Sequence, residues 1–159
     1  GDLKKFLEQM KFSCRDNGRT PFQWDASNYA GFSSTEPWIK VNPNYTAINA
    51  AAQEKEPQSP LNYFRKVVAL RKGNPIYVYG KYTLLDKANP NVYAYTRELA
   101  GKKVVVILNF TAKNTEVNIG INLAGKKCVL GNYASIELVQ NAEKNTVALR
   151  PYEAVIYEL

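Results

Sequence analysis

Residues 12–58 constrain what this chain can fold into more than any other stretch. They show no sustained period of either 2 or 3.6 residues, and turn formers interrupt them throughout: Asn17-Gly18, Thr20-Pro21, Gly31, Ser33-Ser34, Glu36-Pro37 and Asn42-Pro43-Asn44. Yet the same stretch holds Phe12, Phe22, Trp24, Tyr29, Phe32, Trp38 and Tyr45. An irregular connection beyond about 12–15 residues is uncommon in a compact domain unless it is functional or disordered. Disordered segments are poor in aromatic residues. An aromatic-rich irregular segment needs a surface to lie on, and the expectation is that this surface belongs to a part of a larger protein outside this sequence. The beginning at Gly1, with no methionine and no leader, reads the same way, as a fragment.

The flanking segments are regular. Asp2 is placed to cap a short helix whose Leu3, Phe6, Leu7 and Met10 fall on one face. Ala47 to Ala52 suits a short helical turn. A second helix is expected over about 60–72, with Ser59 as cap, Pro60 in the first turn, Leu61, Phe64, Val67, Val68 and Arg71 on one side, and Gly73 and Pro75 closing it. Residues 75–159 read as all-β. Candidate strands are Ile76–Tyr79, Tyr82–Leu85, Asn91–Thr96, Lys103–Phe110, Thr115–Ile119, Lys127–Leu130, Ile136–Val139, Thr146–Leu149 and Ala154–Tyr157. Turn clusters separate them, among them Ala100-Gly101-Lys102 and Asn141–Asn145, a spacing that indicates a sandwich or barrel. The fold class expected is mainly β: a C-terminal antiparallel β-sandwich preceded by one helix and a long irregular segment.

Composition removes several kinds of chemistry. The chain has no histidine, which excludes Ser-His-Asp triads, Cys-His dyads and His-rich metal sites. Its two cysteines, Cys14 and Cys128, are too few for a zinc site, and nothing favours a bridge between them. No metal and no cofactor is expected. The longest apolar run, Val104 to Leu108, is strand length, far below the ~20 residues of a membrane span. The net charge of +7 lies entirely in residues 59–159, as scattered pairs such as Arg65-Lys66 and Lys126-Lys127. That pattern reads as a basic surface and not as a nucleic-acid stripe.

Without histidine, the plausible catalytic machinery is a pair of carboxylates, as in sugar hydrolysis. The acids near aromatics are Asp16, Asp25 and Glu36. Asp16 stands between Arg15 and Arg19 and suits an ion pair or a turn; Asp25 precedes Ala-Ser-Asn and suits a turn or cap; Glu36 precedes Pro37. No catalytic residue is assigned. Arg15 and Arg19 flank an Asp-Asn-Gly turn and offer planar donors for carboxylates or sugar hydroxyls. On spacing alone, a salt-bridge hub that organises the loop is the simpler role. Asn44-Tyr45-Thr46 and Asn109-Phe110-Thr111 match the glycosylation triplet and carry no argument. Tyr77, Tyr79, Tyr82, Tyr93 and Tyr95 suit either a sugar platform or cross-strand packing, and packing is the commoner use.

One stretch is far more specific. Cys14-Arg15-Asp16-Asn17-Gly18-Arg19-Thr20-Pro21-Phe22-Gln23-Trp24-Asp25 resembles the S-R-D-N-A-R-T-P-M-Q-W-D motif of the oligo-1,6-glucosidase and α-glucosidase branch of glycoside hydrolase family 13, the α-amylase family. The likeness continues through Ala30-Gly31-Phe32-Ser33, Pro37-Trp38-Ile39, Val41-Asn42-Pro43-Asn44-Tyr45, Tyr79-Gly80-Lys81-Tyr82, Val92 to Arg97, Leu108-Asn109-Phe110 and Leu149 to Ala154, and covers the chain in order.

The resemblance implies a (β/α)₈ barrel followed by a β-sandwich. Residues 1–58 would be the loop after the last barrel strand, 59–74 the last barrel helix and 75–159 the C-terminal domain. It further implies a retaining mechanism with an Asp nucleophile, a Glu acid/base and a second, stabilising Asp, all upstream. The last of these sits in an Asn-His-Asp motif, which a chain without histidine does not contain. The fragment is therefore expected to be inactive alone, its partners being the absent barrel and, in the intact enzyme, an α-glucoside. Arg15 would help bind the non-reducing-end glucose, and Arg19 would be a structural partner beside it. The departures from the motif are Cys14, Gly18 and Phe22. The resemblance leaves open whether the parent hydrolyses its glucoside or carries out isomerisation or transglycosylation, since sucrose isomerases and trehalose-forming enzymes share this tail. Two rival readings are the tail of a non-enzymatic relative and a free-standing carbohydrate-binding sandwich.

Overall fold

The computed structural model describes residues 2–135, 139–141 and 146–159. Two compact units divide the chain, Gly1–Asn62 and Tyr63–Leu159.

The first unit is built from short elements tied by side-chain amides. Helix α1 (Leu3–Ser13) starts where the Asp2 carboxylate accepts from the backbone N–H of Lys4 and Lys5. Tight 3₁₀ turns follow at Arg15–Gly18 and Pro43–Thr46. Helix α2 (Ala50–Lys55) is capped by the Asn49 side chain, which accepts from Ala52 N–H at 2.8 Å while its amide donates to the Tyr45 carbonyl at 2.8 Å. Helix α3 (Pro60–Gly73) begins in this unit. Ser59 Oγ accepts from Asn62 N–H and donates to the Gln53 carbonyl, so one hydroxyl closes α2 and opens α3. Among the described residues of this unit, only Pro21, Ala30, Asn49 and Ser59 are buried.

Among its described residues the second unit contains the rest of α3, a single helical turn α4 (Ile76–Tyr79) and eight strands: β1 (Lys81–Leu85), β2 (Val92–Leu99), β3 (Lys102–Asn109), β4 (Thr115–Asn118), β5 (Cys128–Gly131), β6 (Val139–Asn141), β7 (Thr146–Leu149) and β8 (Ala154–Glu158). They form two antiparallel sheets, β1-β2-β3-β8-β5 and β4-β7-β6. Alternation decides what each strand buries. Ala94, Val105, Ile107, Val155 and Tyr157 from the larger sheet meet Val117, Val147 and Leu149 from the smaller one in a single core. In β3, all four residues from Val104 to Ile107 are buried, as expected of a central strand covered on both faces. Ala100 and Gly101, at φ 50° and 76°, make the two-residue turn joining β2 to β3.

The mainly β class with its antiparallel sandwich is therefore as expected. Ile76–Tyr79 is a correction: it is helical, not a strand. Pro75 at φ −55° sets the helical conformation, and its carbonyl accepts from Val78 and Tyr79 N–H. Four β-prone side chains do not override that start. Residues 136–138 and 142–145, where a strand and a turn were placed, lie outside the described residues.

Two motif segments turn out to hold the sandwich together. Asn109, 4% exposed, donates to the carbonyls of Lys113 and Arg150. Glu153, 2% exposed, accepts from Arg150 N–H at 2.8 Å and from its guanidinium, which also lies over the Tyr133 ring at 3.9 Å. Burial works against the charged form of Glu153, but the Arg150 hydrogen bonds and charge prevail and hold its carboxyl below the ordinary value.

Candidate functional site

The candidate site is the Arg15–Asp25 stretch and what it touches. Cys14 leaves α1 in an extended conformation, and the next four residues turn tightly, closed by Arg19 N–H on the Asp16 carbonyl at 3.0 Å. This puts Arg15 and Arg19 at the two ends of one turn, both exposed. Among the described residues neither guanidinium pairs with Asp16 or with any other side chain. Among the described residues, the salt-bridge hub suggested by their spacing does not form. A 3₁₀ turn of four residues closes through its own i→i+3 backbone hydrogen bonds, with no ion pair needed.

Beyond Arg19 the chain folds back on itself. Arg19, Phe22, Phe32, Pro37 and Trp38 help line a cleft of about 330 Å³ in which Arg15 takes no part. Trp38 is 89% exposed, and Phe22, Trp24 and Phe32 are each at least half exposed. Phe22 meets Trp24 edge-on, with centroids 4.6 Å apart. The cleft therefore offers flat apolar rings and one cationic side chain.

The floor of the loop is locked by residues whose roles the sequence did not disclose. The Gln23 amide donates to Asn44 Oδ1 at 3.0 Å and to the Ile48 carbonyl, and the Gln23 and Trp24 carbonyls accept from Ala50 and Ala51 N–H. Ala30 is fully buried, and its carbonyl accepts from both Trp24 and Asp25 N–H. Tyr29, Ala30 and Gly31 follow one another at φ 54°, 59° and 64°. Two of these left-handed residues carry a side chain, a costly arrangement that the surrounding bonds must hold. Gly31 is required twice over, since a Cβ there would lie 2.7 Å from both Asp25 carboxylate oxygens. The motif likeness had marked Gln23, Asp25, Ala30-Gly31 and Asn44, and the spacing suited Asp25 to a turn, but neither gave the contacts these residues make.

The three acids are not brought into a catalytic arrangement that the geometry supports. Asp25 Oδ1 accepts from both the hydroxyl and the N–H of Ser27, and these bonds hold its carboxyl below the ordinary value of 3.8. A general acid needs the opposite shift. Asp16 and Glu36 are exposed. Among the described residues, no three His, Cys, Asp or Glu side chains gather as a metal site, and no helix is long and apolar enough to cross a membrane. Cys14 and Cys128 are both free thiols.

The model of a known family, described as alpha amylase, catalytic domain, matches residues 1–80 of the 159. The chain belongs to the α-amylase family. A second model, for the maltogenic amylase C-terminal domain, matches residues 82–156. The oligo-1,6-glucosidase of Bacillus cereus is 40% identical over 160 residues, and that of Parageobacillus thermoglucosidasius 38%; each alignment covers 99% of this chain and 28% of the relative. Among solved structures, an isomaltulose synthase mutant from Erwinia rhapontici in complex with sucrose matches at a TM-score of 0.84 and 39% identity. The isomaltulose synthase of Protaminobacter rubrum matches at 0.85 and 38%, again over 99% of this chain and 28% of the other. This α-amylase-family chain thus spans little more than a quarter of the length of the relatives it matches.

Proposed function

We propose that the chain is the C-terminal part of a retaining α-glucosidase that hydrolyses α-glucosidic bonds in short oligosaccharides. Residues 1–58 are then the loop between the last strand and last helix of a (β/α)₈ barrel, 59–74 that helix, and 75–159 the sandwich that buttresses it. The observation that carries this reading is the first unit's surface. Its backbone is fixed by the Gln23, Asp25 and Asn49 hydrogen bonds, yet Phe12 and Trp38 are 91% and 89% exposed. A segment held in one shape with its aromatics outward is built to be covered. The oligo-1,6-glucosidase relatives support a glucoside substrate, and the motif likeness around Arg15–Asp25 supports the retaining mechanism.

In that setting the nucleophile, the acid/base and the stabilising carboxylate come from the barrel, and this chain contributes binding. Arg15 offers two parallel N–H donors to the hydroxyls of the non-reducing-end glucose, and Arg19 stands at the other end of the same turn. Because both guanidinium groups lack partners among the described residues, no internal ion pair has to be broken to use them.

The test is hydrolysis of a nitrophenyl α-glucoside. This chain alone is expected to give no rate above buffer, and the full-length protein a saturable one. Arg15→Lys in the full-length protein is expected to lower kcat/KM about tenfold or more, the loss of one bidentate contact to substrate. Turnover by the fragment, or an unchanged kcat/KM in the variant, would overturn the assignment.

A further inference from the structure

The turn between Arg15 and Arg19 contains a dipeptide that the function proposed above does not use. At Asn17-Gly18 an asparagine precedes a residue without a side chain; every other asparagine of the chain precedes a residue that has a Cβ. The fold does not require glycine at position 18. Its φ lies outside the left-handed region, and a Cβ built on it would meet nothing within 4 Å. Alanine, which the motif quoted above carries at this place, would fit the same turn. What the missing Cβ changes is reactivity.

Asp16, Gly18 and Arg19 are exposed, Cys14 makes no side-chain cap at the start of the turn, and Arg19 N–H on the Asp16 carbonyl closes its end. A 3₁₀ turn this short opens at low cost. In the open backbone the Gly18 nitrogen can attack the amide carbon of Asn17, with no Cβ in its path. The two groups are neighbours along the chain, so the reaction needs no partner but water. The nitrogen gives up its proton and bonds to that carbon, and the side-chain amide leaves as ammonia. The product is a five-membered cyclic imide. Water then opens the ring at one of its two carbonyls, to aspartate or isoaspartate. The balance is one amide and one water converted to one carboxylate and one ammonium ion, with no oxidant or reductant.

Either product puts a negative charge between Arg15 and Arg19, neither of which has a side-chain partner among the described residues. Isoaspartate does more: it routes the backbone through the former side chain and adds one methylene to the turn, so the i→i+3 closure no longer spans the same number of bonds.

We propose that Asn17-Gly18 is a self-modification site, at which deamidation progressively disables the arginine turn. The consequence for substrate rests on the function proposed above; the modification itself does not. Full-length protein aged at mildly alkaline pH tests it, by peptide mass spectrometry that separates aspartate from isoaspartate and by nitrophenyl α-glucoside hydrolysis on the same samples. Asn17 is expected to convert ahead of every other asparagine. Once it has converted, kcat/KM is expected to be at least about tenfold lower, the effect of misplacing a group that positions substrate. Gly18→Ala is expected to slow both changes about tenfold or more, each measured against the variant's own fresh activity, because a Cβ hinders the attacking nitrogen. Conversion of Asn17 no faster than that of the other asparagines, or unaffected by Gly18→Ala, overturns the inference, and so does an unchanged kcat/KM after conversion. Fresh full-length protein that hydrolyses no glucoside overturns the glucosidase reading instead, and the mass spectra of the aged samples still decide whether the site modifies itself.

Discussion

The unit ending at Asn62 and the unit beginning at Tyr63 are held together by different kinds of atoms. In the second, alternating strands bury Val105, Ile107, Val147 and Leu149 at 2% exposure or less, and the apolar surface removed from water is the main stabilising term. In the first, polar side chains such as those of Gln23, Asp25, Asn49 and Ser59 tie the loop together, while the phenylalanines and tryptophans are at least half exposed. Hydrogen bonds fix a shape but contribute little net free energy, because the unfolded chain makes the same bonds to water. A shape specified without a core depends on a partner surface for its stability.

Substitutions separate the two units, starting with the largest effect. Leu149→Ala leaves a cavity in a closed apolar core and is expected to cost about 3 kcal/mol in denaturant unfolding of the sandwich. A loss below about 1 kcal/mol would mean that the core is not the source of that unit's stability.

Glu153→Ala removes the acceptor of both the Arg150 backbone and its guanidinium, and is expected to cost about 2 kcal/mol. It should also change the pH dependence. The folded carboxyl ionises below its ordinary value of 4.5, so its contribution is complete above that pH and is lost as pH falls through the lower folded value. The wild-type sandwich is therefore expected to lose stability below about pH 4 more steeply than the variant, which a series of thermal melts would read.

Gly31→Ala is expected to open the first unit locally, with about 1–2 kcal/mol of strain from the left-handed φ. Hydrogen exchange at Trp24 and Asp25, whose N–H groups donate to the Ala30 carbonyl, should accelerate while the sandwich strands stay protected. The smallest effect sharpens the contrast most. Trp38→Ala in this chain is expected to change stability by less than about 0.5 kcal/mol, despite the largest side chain being lost, since that side chain is 89% exposed. A cost of several kcal/mol would show that the first unit has an apolar core of its own.

Much of this was readable in advance. The strands of the sandwich follow from alternation and turn spacing, and α3 from Ser59, Pro60 and Gly73, because local propensity and burial agree there. Ile76–Tyr79 was misread as a strand since its side chains are β-prone, whereas the helical turn is imposed by Pro75. At the candidate site, residue types and spacing located the turn at Asp16, while the salt-bridge hub they also suggested is absent among the described residues. Arg15 and Arg19 have charges of the right sign near Asp16, but the turn is closed by its backbone and both arginines stay exposed.

By itself, then, the sequence determined which segments have a regular period, where they start and stop, and which chemistry a chain without histidine lacks. Those properties depend on neighbours a few residues away. Only the tertiary structure decided that Gln23 ties down Asn44 and Ile48, that Gly31 must leave room for Asp25, that Glu153 is buried under Arg150, and that Tyr82 and Tyr93 bond to each other. Each of these joins atoms whose separation is set by the fold and not by their spacing along the chain.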